Sequence, residues 1–96
     1  MTENRNIRDF LEELDPEMLC ADGYDDAIIG YSSFAGSFRV VYDMRLMIAI
    51  FMKNADCSME EAREYLSYNC WDSGDGGKSP IYIELVDKED LGEWNI

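Results

Sequence analysis

The chain has no histidine, two prolines, three cysteines and few cations: 8 Lys and Arg stand against 21 Asp and Glu in 96 residues. Without histidine, neither a Ser-His nor a Cys-His nucleophile pair can form. Cys20, Cys57 and Cys70 are odd in number, widely spaced and without a C-x-x-C, so neither a disulfide framework nor a zinc site is expected. Free thiols in a reducing compartment are the expectation. No apolar run approaches the roughly 18 residues of a membrane span. The opening MTENRNIRDF lacks the apolar region of a signal peptide. These absences give a cytoplasmic protein with no membrane contact, and the length gives one small globular domain, 1–96.

What is abundant is negative charge. The net value of −13 repels DNA, RNA and anionic lipid and attracts basic surfaces. Residues 1–30 carry −7, residues 31–55 carry +2 and residues 56–96 carry −8. Acidic flanks therefore enclose a middle of low charge, where the core is expected. The 47% of hydrophobic residues suffices for one modest core.

Hydrophobic periodicity places the elements. Ile7, Phe10, Leu11 and Leu14 fall on one face of a helix over 5–14, with Asp9, Glu12 and Glu13 opposite. Asp15-Pro16 ends it and caps a short turn through Leu19. Ala27–Tyr31 and Ser37–Tyr42 read as strands joined by a hairpin loop over 32–36. Phe38, Val40 and Tyr42 share one strand face. Asp43 caps a helix over 44–53 whose Met44, Met47, Ile48 and Phe51 form the core stripe, widened by Leu46 and Ile50. Ser58-Met59-Glu60-Glu61 is a capping box, opening a helix to Asn69 with Met59, Ala62 and Leu66 inward, Tyr65 beside them, and Glu60, Glu61 and Glu64 outward. Pro80–Leu85 reads as a strand with Ile81, Ile83 and Leu85 on one face, and an acidic tail, 87–96, follows. The order α-β-β-α-α-β predicts an α+β domain, a small antiparallel sheet of about three strands packed against helices.

The loop WDSGDGGKSP ends like a phosphate-binding loop. That motif needs a glycine where Asp72 stands, and a helix after the serine, where Pro80 opens a strand. It is no EF-hand either, because position 12 counted from Asp72 is Ile83 rather than glutamate. The acidic turn Asp22-Gly23-Tyr24-Asp25-Asp26 matches no cation-binding spacing. No cofactor, no metal and no catalytic residue is therefore assigned, and the protein reads as a non-enzyme. Tyrosines and tryptophans interleave with acids rather than bases, which suits a protein interface and not direct nucleic-acid binding.

Asp22-Gly23-Tyr24-Asp25-Asp26-Ala27-Ile28-Ile29-Gly30, Val40-Val41-Tyr42-Asp43, the run Ser58–Asn69 (SMEEAREYLSYN) and Pro80-Ile81-Tyr82-Ile83 follow one another in an order D-G-x-x-D-A-I-I-G, V-Y-D, S-x-E-E-A-x-E-Y-x-x-Y-N, P-x-x-I. Over about residues 18–84 this resembles a group of small, acidic, uncharacterised bacteriophage-encoded proteins. The resemblance implies a phage origin, with the cytoplasm of a bacterial host as the setting, and a shared fold. It carries no reaction, and in that group the loop after the asparagine has glycine but no GKS.

Two functions are consistent with the sequence. One is an interaction protein that binds a basic surface on a host nucleic-acid-handling or defence protein, as an inhibitor mimicking nucleic acid, with Asp22, Asp25, Asp26, Glu60, Glu61, Glu64, Asp72 and Asp75 replacing phosphates. The other is a structural or accessory homodimer, joined through an exposed strand or the aromatic tail. Steep salt dependence marks the first, and a changed oligomeric state on truncation at Asp87 marks the second.

Overall fold

The computed structural model describes residues 6–34, 36–72 and 78–86. Its element order is α1 (Ile7–Leu14), a 3-10 turn (Asp25–Ala27), β1 (Ile28–Phe34), β2 (Ser37–Asp43), α2 (Met44–Ala55), α3 (Met59–Leu66), a π-helical turn (Ser67–Trp71) and β3 (Ile81–Ile83). The α+β class and the order of elements are those the sequence predicts. Arg5 of the expected first helix and the tail 87–96 lie outside the described residues.

Local chemistry sets the boundaries. The Asn6 side chain accepts from the Arg8 N–H and opens α1. Asp15 ends it: its carboxylate accepts from the Glu17 N–H, and the Met18 N–H returns to the Asp15 carbonyl, which closes one turn and no further helix. Strand pairing runs on to Phe34↔Ser37, so the hairpin connection is two residues rather than the five expected, with Gly36 at φ 79°. Asp43 both ends β2 and caps α2, accepting from the Arg45 and Leu46 N–H groups. Asp56, at φ 54°, closes α2 in the left-handed region, and the complete Ser58/Glu61 capping box opens α3.

The sheet order is β1-β2-β3. β1 and β2 are antiparallel, but β3 runs parallel to β2, which corrects the expectation of an antiparallel sheet. The cause is the connection: the chain leaves β2 through α2 and α3 and returns so that β3 enters beside Val41 and runs with the last three residues of β2, a crossover of the kind a parallel neighbour requires. Register corrects the facing of β3 too. Tyr82 pairs with Tyr42, whose side chain is fully buried beneath the helices, so Tyr82 packs on the core while Ile81 and Ile83 lie on the opposite face. Leu11, Ala27, Val40, Tyr42, Met47, Ile48, Ala62 and Leu66 form that core, with Leu14, Ile50, Phe51 and Tyr82 against it. Leu46, expected to widen the core stripe of α2, is exposed. No helix among the described residues is long and apolar enough to cross a membrane.

Candidate interaction surface

The eight acids singled out by sequence fall on separate surfaces. Asp22 and Asp25 flank the 3-10 turn and face α1, where Arg8 reaches them at 3.6 and 3.5 Å. Asp26 is exposed on the same turn. Asp22 and Asp25, without Asp26, border a depression of about 550 Å³ along α1, together with Asp9, Glu12 and Asp15. Glu60, Glu61 and Glu64 lie elsewhere, on the outer side of α3, where they line a shallow groove of about 730 Å³. Asp72 is exposed just beyond the π-helical turn, and Asp75 lies outside the described residues. Among the described residues no three of Cys, Asp and Glu converge as a metal-binding group.

The α3 groove continues onto the π-helical turn, and there it gains Tyr65, Tyr68 and Asn69. Ala62 and Leu66 are buried and fix the inward line of α3. Tyr65 and Tyr68 consequently point outward, 52% and 82% exposed, and Met59, expected inward, is 55% exposed. The turn closes through the Asp72 N–H to the Ser67 carbonyl at 3.2 Å, and the Asn69 amide donates to the Tyr65 carbonyl at 3.1 Å. Phe51 of α2 backs the Tyr65 ring at 4.6 Å between centroids, so that ring is held in place with an outer face open. The sequence places Tyr65 beside the inward residues of this helix, which its 52% exposure corrects, and counts Tyr68 only among the abundant aromatics. The i, i+3 spacing of the two tyrosines beside Ala62 and Leu66 is the signal that separates them from the core.

Four of the described cations pair with acids of the chain at its surface. Arg8 holds Asp22 and Asp25, Lys78 holds Asp15, and Arg45 and Arg63 both hold Glu84. Arg63 donates to Glu84 at 3.3 and 3.5 Å and Arg45 at 3.3 Å, so Glu84 ties α2, α3 and the end of β3 together. Those hydrogen bonds, Arg63 first and Arg45 second, hold the Glu84 carboxyl below its ordinary range. Lys78, with the Glu17 N–H, does the same for Asp15. A depressed carboxylate stabilises the fold above its ordinary pKa and loses that contribution as pH falls through the folded value. Glu84→Gln is therefore expected to lower Tm by a few degrees near neutrality, since an exposed pair contributes roughly 0.5 kcal/mol. Thermal melts of the two proteins should converge as pH drops below Glu84's ordinary value of 4.5; a gap unchanged at acid pH would show that the ion pairs are not its cause.

Cys70 donates from Sγ to the Tyr82 hydroxyl at 3.6 Å, and the Tyr82 ring stacks on Tyr42 at 5.6 Å. Burial raises the pKa of both tyrosines, Tyr42 to about 12. This polar seam lies between sheet and helices and is structural in its contacts. Compared with known proteins, the chain matches no family model, no curated protein and no solved structure.

Proposed function

We propose that this protein acts by binding rather than by catalysis: its acidic surface occupies a basic site on a protein that handles nucleic acid, with carboxylates standing where phosphates would. The observation that supports the reading is the disposition of the cations. Arg8, Arg45, Arg63 and Lys78 are engaged by Asp22, Asp25, Glu84 and Asp15, so the charge that these four cations cancel lies at those acids and not at Asp26, Glu60, Glu64 or Asp72. Exposed acids such as Asp26, Glu60, Glu64 and Asp72 then supply the attraction toward a basic partner. The resemblance to small acidic phage proteins gives that partner a bacterial setting.

The test is capture from bacterial lysate on the tagged protein at low salt, followed by elution at moderate salt and identification of the eluate. A nucleic-acid-binding protein released by salt is the expected result. Partners that stay bound through the salt step, or that have no basic surface, would overturn the reading.

A second reading, a self-associating module, is favoured by β1. Among the described strands it is at the edge of the sheet, seven residues long with no charge and no proline, and Ile29 and Tyr31 on it are exposed. Edges of this kind invite pairing with another strand. Sedimentation at moderate salt should then show a dimer; a monomer at every concentration would remove this reading.

A further inference from the structure

We propose that the outer face of α3 and its π-helical turn, from Met59 to Asn69, is the docking surface, and that its occupant is an arginine-bearing segment of a protein partner. This rests on the acidic-binding reading above and goes beyond it in naming the surface and the side chain recognised.

The face combines two kinds of group that a guanidinium uses together. Tyr65 and Tyr68 offer open aromatic rings, and a cation over such a ring is attracted by its π face, arginine more often than lysine. Glu60 and Glu64 stand one helical turn apart on the same groove and give the carboxylates that a planar fork binds in bidentate fashion. Tyr65 is already fixed against Phe51, and the Asn69 amide secures the turn beside it, so part of the ordering cost of binding is met beforehand. Exposed Met59 adds an adaptable apolar contact at the other end of the groove.

One cation lines this groove: Arg63. Its guanidinium is turned away and donates to both oxygens of Glu84. Glu84 is thus a positioning residue. It keeps Arg63 from neutralising Glu60, three residues earlier on the same helix and within reach of it. With Glu84 unable to hold a charge, Arg63 swings back onto Glu60 and the groove loses its complement to a cationic segment.

The experiment uses the whole chain, labelled with ¹⁵N, titrated with a nona-arginine peptide and separately with nona-lysine at moderate salt. Chemical-shift changes are expected to centre on residues 59–69, with nona-arginine bound about threefold or more tighter than nona-lysine. Glu60→Gln with Glu64→Gln should weaken nona-arginine binding about fivefold or more. Tyr68→Ala, at an exposed position that does not threaten folding, should weaken it about threefold and erase most of the preference for arginine. Glu84→Gln and Asp56→Asn each remove one negative charge, but only the first should weaken binding by more than about twofold.

Shifts centred on Asp22, Asp25 and Asp26 instead would overturn this inference while leaving the acidic-binding reading intact. Equal affinity for the two peptides would overturn the role of the tyrosines and with it the arginine-bearing occupant. Equal effects of Glu84→Gln and Asp56→Asn would overturn the positioning role of Glu84. Absence of binding to either peptide even at low salt would overturn both the inference and the reading on which it rests.

Discussion

Replacing Tyr42 by alanine should destabilise the protein by about 3–5 kcal/mol, the loss expected when a large aromatic is cut from a close-packed core. Tyr42 is fully buried between the sheet and the helices, and its ring stacks on Tyr82. A domain of this size has a total stability of roughly 5–15 kcal/mol, so Tm should fall by about 15 °C or more. Tyr42→Phe separates two contributions. The ring remains, but the Ala21 N–H, which donates to the tyrosine hydroxyl at 2.7 Å, loses its acceptor. That leaves a partly buried donor unpaired and should cost about 1–2 kcal/mol. Denaturant melts of the three proteins measure both values. A cost under about 1 kcal/mol for the alanine variant would show that Tyr42 is not the anchor of the core.

The same residue sets an alkaline limit. Burial pushes the Tyr42 hydroxyl from its ordinary 10.0 up to about 12, while the hydrogen bond from Ala21 pulls the other way. A group whose folded pKa is raised gives stability that is complete below the unfolded value and declines as pH climbs through the folded one. Stability should therefore fall between pH 10.0 and about 12, and Tyr42→Phe should fall less steeply there. Tyr82, raised for the same reason of burial, accounts for the decline that persists in the variant.

The second large effect belongs to binding. Affinity for the basic partner should drop at least about tenfold between roughly 50 and 200 mM salt, because the attraction comes from exposed carboxylates that counter-ions screen over about 10 Å. Most of the loss should appear in the association rate, since an overall charge of −13 steers encounter before contact is made. Neutralising Glu60 and Glu64 should flatten this salt dependence, and neutralising Asp22 and Asp25 should flatten it less, because Arg8 already pairs with both. Surface plasmon resonance over a salt series reads the two rates separately. Affinity that changes less than about twofold across the series would assign the binding to apolar contact instead.

Much of this fold is legible in the residues. The i, i+3, i+4 spacing of Ile7, Phe10, Leu11 and Leu14 gives α1, and both caps at Asp43 and Ser58 lie where their side chains indicate. The direction and facing of β3 are not legible. Ile81, Tyr82 and Ile83 are all apolar enough for the core, so a two-residue period does not choose between their faces. Only pairing with β2, forty positions away, puts Tyr82 inward. The surface is opaque for a similar reason. Charge pattern finds every acid, but it cannot tell which ones are already held. Arg8 meets Asp25 17 residues on, and Glu84 meets Arg45 and Arg63 from 39 and 21 residues away. Those contacts separate the structural acids from the outward ones. Asp22 and Asp25 are held by Arg8, whereas in the groove of α3 outward carboxylates and exposed tyrosines coincide.

The central claim is that the protein takes the place of nucleic acid on its partner. Its most direct test is displacement. The partner captured from lysate is purified, loaded with fluorescent duplex DNA, and titrated with this protein while anisotropy is followed. Release of the DNA at one equivalent of acidic protein per site, with no larger complex formed, is the result expected. A ternary complex, in which protein and DNA sit on the partner together, would contradict the claim.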